Sequence, residues 1–136
     1  MRFLGIPLVV VALVATSCGG SKPDPKPAEP ETLTVSGDLT LIDSGIDYLA
    51  GMGCWGTGGY DDMQEGASVV VYGANGDKIA VGSLGAGHRD GPVTCIFDFE
   101  VTDVPADDKV MSVEISHRGE YTFKVEDSES IHLSLG

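Results

Sequence analysis

From residue 32 to the end of the chain, apolar and polar residues alternate in short runs. Between residues 32 and 42, for example, Leu33, Val35 and Leu39 share one parity and polar residues occupy the other. Successive side chains of a β-strand point to opposite faces, so this period of two predicts a strand with one buried face. The same alternation predicts strands at residues 93–101, 111–115, 121–125 and 131–135. No run after residue 18 has apolar residues at helical spacing over three turns, which predicts an all-β domain.

Two turn signals connect these runs. Asn75-Gly76 lies between the apolar runs 69–72 and 78–84, and a tight hairpin turn accepts this pair because both residues tolerate positive φ angles. Arg118-Gly119 separates two later runs in the same way. About seven short strands with polar outer faces are typical of two packed antiparallel sheets. The predicted fold is a single antiparallel β-sandwich, immunoglobulin-like or transthyretin-like, over residues 32–136.

The alternation stops in a glycine-rich segment between residues 43 and 66. A loop longer than about 12–15 residues inside a compact domain is usually either functional or disordered. This segment holds the only tryptophan, Trp55, and also Tyr60, Asp61 and Asp62. We therefore expect one long irregular loop in which these four side chains form a binding surface. The alternative is a turn-rich apolar plug over one end of the sandwich.

Cation binding is another alternative for the same segment. Calcium takes six to eight oxygen ligands, and Asp61 and Asp62 with Glu65, or Asp43 with Asp47, offer some of them. The spacing matches no EF-hand loop. Acidic clusters are also expected in a chain with 21 acidic and eight basic residues. The sequence therefore predicts no metal site and no cofactor.

The first 18 residues have the order of an export signal. Arg2 precedes a short apolar run, and small residues stand directly before Cys18. This order predicts a signal peptide at residues 1–17, and the cysteine after small residues resembles the lipobox of bacterial lipoproteins. The apolar run is shorter than the roughly 20 residues of a transmembrane helix. An ordinary signal peptide, with secretion in place of lipid attachment, is the alternative.

Residues 18–31 are predicted to be the lipidated cysteine followed by a spacer. Prolines at positions 23, 25, 27 and 30 prevent a helix and favour an extended polyproline II chain. We expect the lipid on Cys18 to attach the protein to the extracytoplasmic face of the cell membrane. The formal net charge of −13 argues against nucleic acid as a partner, because phosphates are also negative.

Two cysteines remain for the folded domain, Cys54 and Cys95. An even pair outside the cytoplasm predicts a disulfide. Closing a loop of about 40 residues contributes about 4 kcal/mol in the chain-entropy model. Metal ligation or a redox pair fits less well, because the cysteines lack the CxxC spacing of such sites. Cys95 shares its parity with Phe97 and Phe99, so we expect it to point into the core and to fix the glycine-rich segment there.

A family resemblance covers most of residues 33–136. The glycine-rich run from Cys54 to Asp62 has a Cys-x-Gly-x-Gly-Gly-Tyr pattern, Cys95-x-Phe97-x-Phe99 follows, and Val104-Pro105 and Arg118-Gly119 come later. This order resembles small secreted or lipid-anchored proteins of high-GC Gram-positive bacteria. More distantly, residues 66–84 resemble transthyretin-like or carboxypeptidase-regulatory-like domains. The resemblance implies a fold, a disulfide and a location, and it implies no activity.

The sequence gives little support for catalysis. His88, His117 and His132 lie in different predicted elements, so we do not expect them to meet in one metal site or one triad. The predicted function is a non-catalytic binding or interaction module, with an envelope protein or a small ligand as its partner. Two alternatives stay open: a cell-envelope hydrolase with a carboxylate-based site, and a purely structural envelope protein.

Overall fold

The computed structural model describes residues 19–20 and 22–136, and this part of the chain is all-β, as predicted. It contains nine strands and two short 3₁₀ turns, at Gly58–Tyr60 and Val125–Asp127. The strands are β1 (Thr32–Ile42), β2 (Ile46–Leu49), β3 (Gly53–Gly56), β4 (Ser68–Tyr72), β5 (Lys78–Arg89), β6 (Thr94–Pro105), β7 (Val110–Ile115), β8 (Glu120–Lys124) and β9 (Ile131–Leu135).

The strands join into one mixed sheet that is nearly barrel-shaped. Its order is β8-β7-β4-β5-β6-β1-β9, and the β2–β3 hairpin attaches through β3 to β5. Strand β5 serves both halves of the sheet, because Ser83 pairs with Ser68 on β4 whereas the next residue, Leu84, pairs with Phe99 on β6. The two separate sheets of the predicted sandwich are therefore not confirmed.

One strand pair shows that the prediction of a purely antiparallel fold was wrong. Strand β9 lies parallel to β1, with Leu133 beside Leu39 and Leu135 beside Leu41. After β8 the chain passes through residues 125–130 and joins the opposite edge of the sheet. Alternation within a segment defines its two faces but not the neighbour it pairs with. The pattern therefore carried no signal for this parallel pair.

The core is formed by side chains of one parity from most of the strands. On β6, Cys95, Phe97 and Phe99 are all buried, as their shared parity predicted. They join one cluster with Val35 and Leu39 of β1 and with residues of β4 and β7. The predicted hairpin at Asn75-Gly76 is also confirmed, since β4 and β5 are antiparallel and Gly76 has a φ of 80°.

The glycine-rich segment differs from the predicted long loop, because it contains two strands. Strands β2 and β3 pair antiparallel, and the backbone N–H of Met52 donates to the carbonyl of Leu49 across the turn, at 3.0 Å. Each strand has only four residues. Period-two alternation needs a longer run to be visible, so the sequence pattern missed both. The segment is a hairpin followed by a 3₁₀ turn.

The N-terminal predictions lie largely outside the described residues. These include the signal peptide at residues 1–17 and the lipid attachment at Cys18. The spacer is exposed and without regular secondary structure over residues 22–31. Among residues 19–20 and 22–136, no helix has the length and apolar character needed to cross a membrane.

Candidate functional site

A disulfide holds the β2–β3 hairpin to the sheet. Cys54 on β3 and Cys95 on β6 lie at disulfide distance, with their Cα atoms 5.9 Å apart, as the sequence predicted. Strand β5 passes beside them, and its Gly87 pairs with both Cys54 and Phe97. A Cβ on Gly87 would lie 2.7 Å from the Cys95 Sγ atom, closer than real contacts allow. Position 87 therefore needs glycine, because a side chain there would collide with the Cys95 sulfur of the disulfide.

An arginine fixes the second half of the glycine-rich segment. Arg118, in the β7–β8 turn, donates from Nε to Oδ2 of Asp62 at 2.8 Å and from Nη2 to Oδ1. Nη2 also donates to the Gly59 carbonyl at 2.5 Å. The guanidinium carbon lies 5.0 Å from the centre of the Tyr60 ring. Because a planar guanidinium matches a carboxylate with two parallel hydrogen bonds, this pair has a defined geometry.

The ion pair changes the acidity of Asp62. Hydrogen bonding to Arg118 lowers the pKa of the Asp62 carboxyl from 3.8 to about 2. The same bond raises the pKa of Arg118. A general acid in a hydrolase needs a carboxyl with a raised pKa. The shift of the Asp62 pKa has the opposite direction, as expected for a carboxylate held by an arginine.

The four predicted binding residues lie on β3 and on, or directly after, the 3₁₀ turn that follows it. Tyr60 and Asp62 meet beneath Arg118, where Tyr60 also packs against the core. Asp61 is exposed beside them. Trp55 is half-buried and lies on the face of β3 opposite to Cys54. The structure thus brings two of the four residues, Tyr60 and Asp62, to the same arginine side chain.

The tip of the β2–β3 hairpin exposes apolar side chains. Tyr48 is 58% exposed, Leu49 54% and Met52 67%. The Arg89 guanidinium stacks on the Tyr48 ring at 3.7 Å from its centre, a cation–π contact. Asp43 is occupied locally, because its Oδ1 accepts from the Gly45 backbone N–H at 2.6 Å. The hairpin therefore presents apolar side chains at its tip, and the Asp43 carboxylate before it is used for local structure.

A cleft of about 370 Å³ opens between the edge strands β8 and β9. We call it the seam cleft. Its floor is made of buried core side chains from β1, from β7 and from the end of the glycine-rich segment: Leu39, Val113, Ile115 and Met63. Cavities of about 300–1,000 Å³ with apolar lining are the usual size of small-ligand sites.

The seam cleft lies where β8 and β9 do not pair within the described residues. Strands β8 and β9 are joined by residues 125–130, and next to that link Phe123 is 6% exposed and Ile131 2%. Two residues further along β8, on the same face, Tyr121 is 47% exposed. Leu133, at the matching position of β9, is only half-buried. The inward-facing side chains of β8 and β9 are thus more exposed away from the link than beside it.

Polar groups stand at the rim of the seam cleft. Arg118 and Glu120 come from the β8 side, and His132 and Ser134 come from β9. Nδ1 of His132 lies 2.5 Å from Oδ2 of Asp38 on the neighbouring strand β1. Two of these rim groups therefore already have protein partners, Arg118 with Asp62 and His132 with Asp38.

Sequence analysis did not identify the seam cleft. Tyr121, Leu133 and Leu135 have the alternation of ordinary core residues, and nothing in that pattern shows that a neighbouring strand is missing. The signal lay in topology, because β9 pairs with β1 and leaves β8 as the opposite edge. A parallel pair between the first and last strands is a long-range contact that local patterns do not encode.

Among the described residues we find neither a metal-ion site nor an assembled catalytic triad. The part of the chain that the structure describes contains no group of three or more His, Cys, Asp or Glu side chains able to hold a metal ion. Asp38, His132 and Ser134 include the residue types of a hydrolytic triad. His132 and Ser134 are two residues apart on one strand, so their Cα atoms are about 7 Å apart. A triad needs a direct hydrogen bond between serine and histidine.

Comparison of the chain with protein-family models, with curated proteins and with solved structures gives no match.

Proposed function

We propose that this protein is a non-catalytic binding module at the extracytoplasmic face of the cell membrane, where a lipid on Cys18 anchors it. The seam cleft is its ligand site. The observation that carries this proposal is the cleft itself, where half-buried Leu133 and Leu135 and exposed Tyr121 leave apolar surface open to solvent above a floor of buried core side chains. Burying such apolar surface under a ligand group is favourable, at about 25 cal/mol per Å².

The location part of the proposal has separate support. Residues 1–17 have the charge, apolar run and small residues of a signal peptide. Cys54 and Cys95 lie at disulfide distance, and disulfides persist in oxidising compartments. Residues 22–31 are exposed and proline-rich, which suits a spacer between membrane and domain. Intact-mass measurement of the membrane fraction tests this part, since acylation is lost in Cys18→Ala.

The proposed architecture is of the sandwich type. Strands β1 and β6 contribute to the same core cluster as β4 and β7, which face them across the interior. Strand β5 turns from one half to the other. The seam cleft is then the side of the sandwich where β8 and β9 do not pair.

Binding is favoured over catalysis by the state of the rim groups. Arg118 is held by Asp62 and His132 lies against Asp38. A His–Asp contact also orients the base of a catalytic triad, but the nucleophile and its base must contact each other, and the Cα atoms of Ser134 and His132 lie about 7 Å apart along β9. The carboxylate-based hydrolase alternative needs a carboxyl whose pKa is raised, whereas the pKa of Asp62 is lowered.

A neutral apolar dye tests the site directly. N-phenyl-1-naphthylamine fluoresces when it enters an apolar cavity, and we expect the mature protein to bind it. Leu133→Trp fills the cleft from its half-buried wall and should weaken dye binding at least tenfold. Val81→Trp, at an exposed position of β5 outside the cleft, is the matched control and should leave binding unchanged. Equal binding by both variants would contradict the proposal.

A further inference from the structure

We infer that the ligand of the seam cleft is an extended peptide segment that adds to the free edge of β9, with apolar residues at alternate positions and basic residues between them. This inference rests on the proposed function and specifies its ligand class. Strand addition provides affinity through main-chain hydrogen bonds and specificity through pockets for alternate side chains.

The main chain of β9 is paired on one side only. Within the described residues β9 pairs with β1, and β8 at the other end of the sheet pairs with β7. An edge strand presents N–H and C=O groups that another extended chain can pair with. Both edges of this sheet border the same cleft. An apolar cleft bordered by main-chain hydrogen-bonding groups suits a polypeptide.

The β9 edge also lacks the usual protection against strand addition. Edge strands are commonly blocked by charged residues, especially lysine, by proline or by a bulge. The sequence of β9 is Ile-His-Leu-Ser-Leu, which contains no lysine and no proline. Its register with β1 continues without a bulge from Ile131 to Leu135. By contrast, Glu120 and Lys124 stand at the two ends of β8. The inference therefore names β9 as the pairing edge.

Alternate side chains of an added strand would pack into the core, because every second residue of a strand faces the same side. Leu133 and Leu135 face inward but are only half-buried, and Tyr121 opposite them is 47% exposed. A strand beside β9 would project every second side chain into the same interior layer. Apolar residues at those positions would cover these three side chains, while the residues between them would stay in solvent.

Charge determines which partner is favoured. The chain carries a formal net charge of −13, and Glu120 stands at the rim of the cleft. Two copies of so negative a protein repel each other, which opposes pairing of β9 with β9 of a second copy. The same field attracts a peptide with lysine or arginine at the solvent-facing positions.

Synthetic peptides that alternate lysine with valine, leucine or phenylalanine test the inference on the mature protein. At least one should bind with micromolar affinity and displace the naphthylamine dye. Replacement of every lysine by glutamate should weaken binding at least tenfold. Leu133→Trp should abolish peptide binding and Val81→Trp should not.

N-methylation identifies the pairing mode. In an extended chain the N–H groups of alternate residues point to the same edge. Two peptides, one N-methylated at each lysine and the other at each apolar residue, should therefore differ. One should lose binding and the other keep it, and the β9 amides should become protected from hydrogen exchange with the peptide that binds.

Each other result overturns the inference. If both methylated peptides bind equally well, the cleft recognises apolar side chains without strand pairing. If a fatty acid displaces the dye and none of the peptides does, the ligand is an acyl chain. In both cases the proposed binding module stands. If the dye itself does not bind, or if it binds without regard to Leu133→Trp, the proposed function fails as well.

Discussion

The β2–β3 hairpin and the seam cleft are two parts of one sheet, the hairpin attached to the middle strand β5 and the cleft bordered by the edge strands β8 and β9. The hairpin is short and glycine-rich, and it is fixed by the Cys54–Cys95 pair and by the Arg118–Asp62 contact that follows it. The seam between β8 and β9 has ordinary strands but is left partly open. A region that looks irregular in sequence is cross-linked to the sheet, and a region that looks regular in sequence carries the cavity. The Cys54–Cys95 pair holds the hairpin in place, whereas the cleft opens where β8 and β9 do not pair.

The largest effect is expected from removing the disulfide. Cys54→Ala with Cys95→Ala should lower the free energy of unfolding by about 2–5 kcal/mol, measured by urea denaturation. If the hairpin is held chiefly by this bond, the hydrogen-exchange rates of the β2 and β3 amides should increase more in this variant than those of the β9 amides. A uniform loss of protection across the sheet would contradict the separate roles of the two regions.

Gly87→Ala should have the next largest effect. A methyl group there would lie closest to the Cys54 carbonyl oxygen on β3, and 2.7 Å from both the Cys95 Sγ and a ring carbon of Phe97, and such overpacking costs about 1–3 kcal/mol. Gly59→Ala is the matched control, because no atom lies within 4 Å of the position its Cβ would take. Equal stability of the two variants in thermal unfolding would show that β3 does not approach β5 as closely as described.

The Arg118–Asp62 contact predicts a smaller, pH-dependent effect. The folded pKa of Asp62, about 2, lies below its ordinary value of 3.8. The contact therefore stabilises the fold above about pH 5, and this stability is lost as the pH falls from there toward 2. Since both side chains are partly exposed, the contribution is about 1 kcal/mol.

Asp62→Asn tests this contribution in unfolding curves between neutral and acidic pH. The difference in stability from wild type should be largest near pH 7 and should shrink toward pH 2.5. Asp61→Asn, at the exposed neighbouring position, is the control and should follow wild type throughout. A constant difference for Asp62→Asn across the pH range would assign its effect to packing and not to charge.

Local physics predicted most of the strands but not their arrangement. The bounds of β1 and β9 match the alternating runs at residues 32–42 and 131–135, because burial of one face imposes period two. Cys95 was placed correctly for the same reason. The four-residue strands β2 and β3 were missed because two apolar positions cannot establish a period.

The candidate site depends on contacts that no local pattern encodes. Arg118 and Asp62 lie 56 positions apart in the chain, and their contact forms only when the β7–β8 turn meets the 3₁₀ turn. The seam cleft likewise depends on β9 pairing with β1 in place of β8. Sequence reasoning selected the glycine-rich segment for its composition, whereas the opening at the seam results from topology.

The most direct test of the central claim is the location of ligand contacts on the isotopically labelled mature protein. We predict that N-phenyl-1-naphthylamine shifts the NMR resonances of Tyr121, Leu133 and Leu135 at the seam cleft and leaves those of Leu49 and Met52 at the hairpin tip unchanged. Shifts confined to the hairpin tip, with the seam resonances unchanged, would contradict the account.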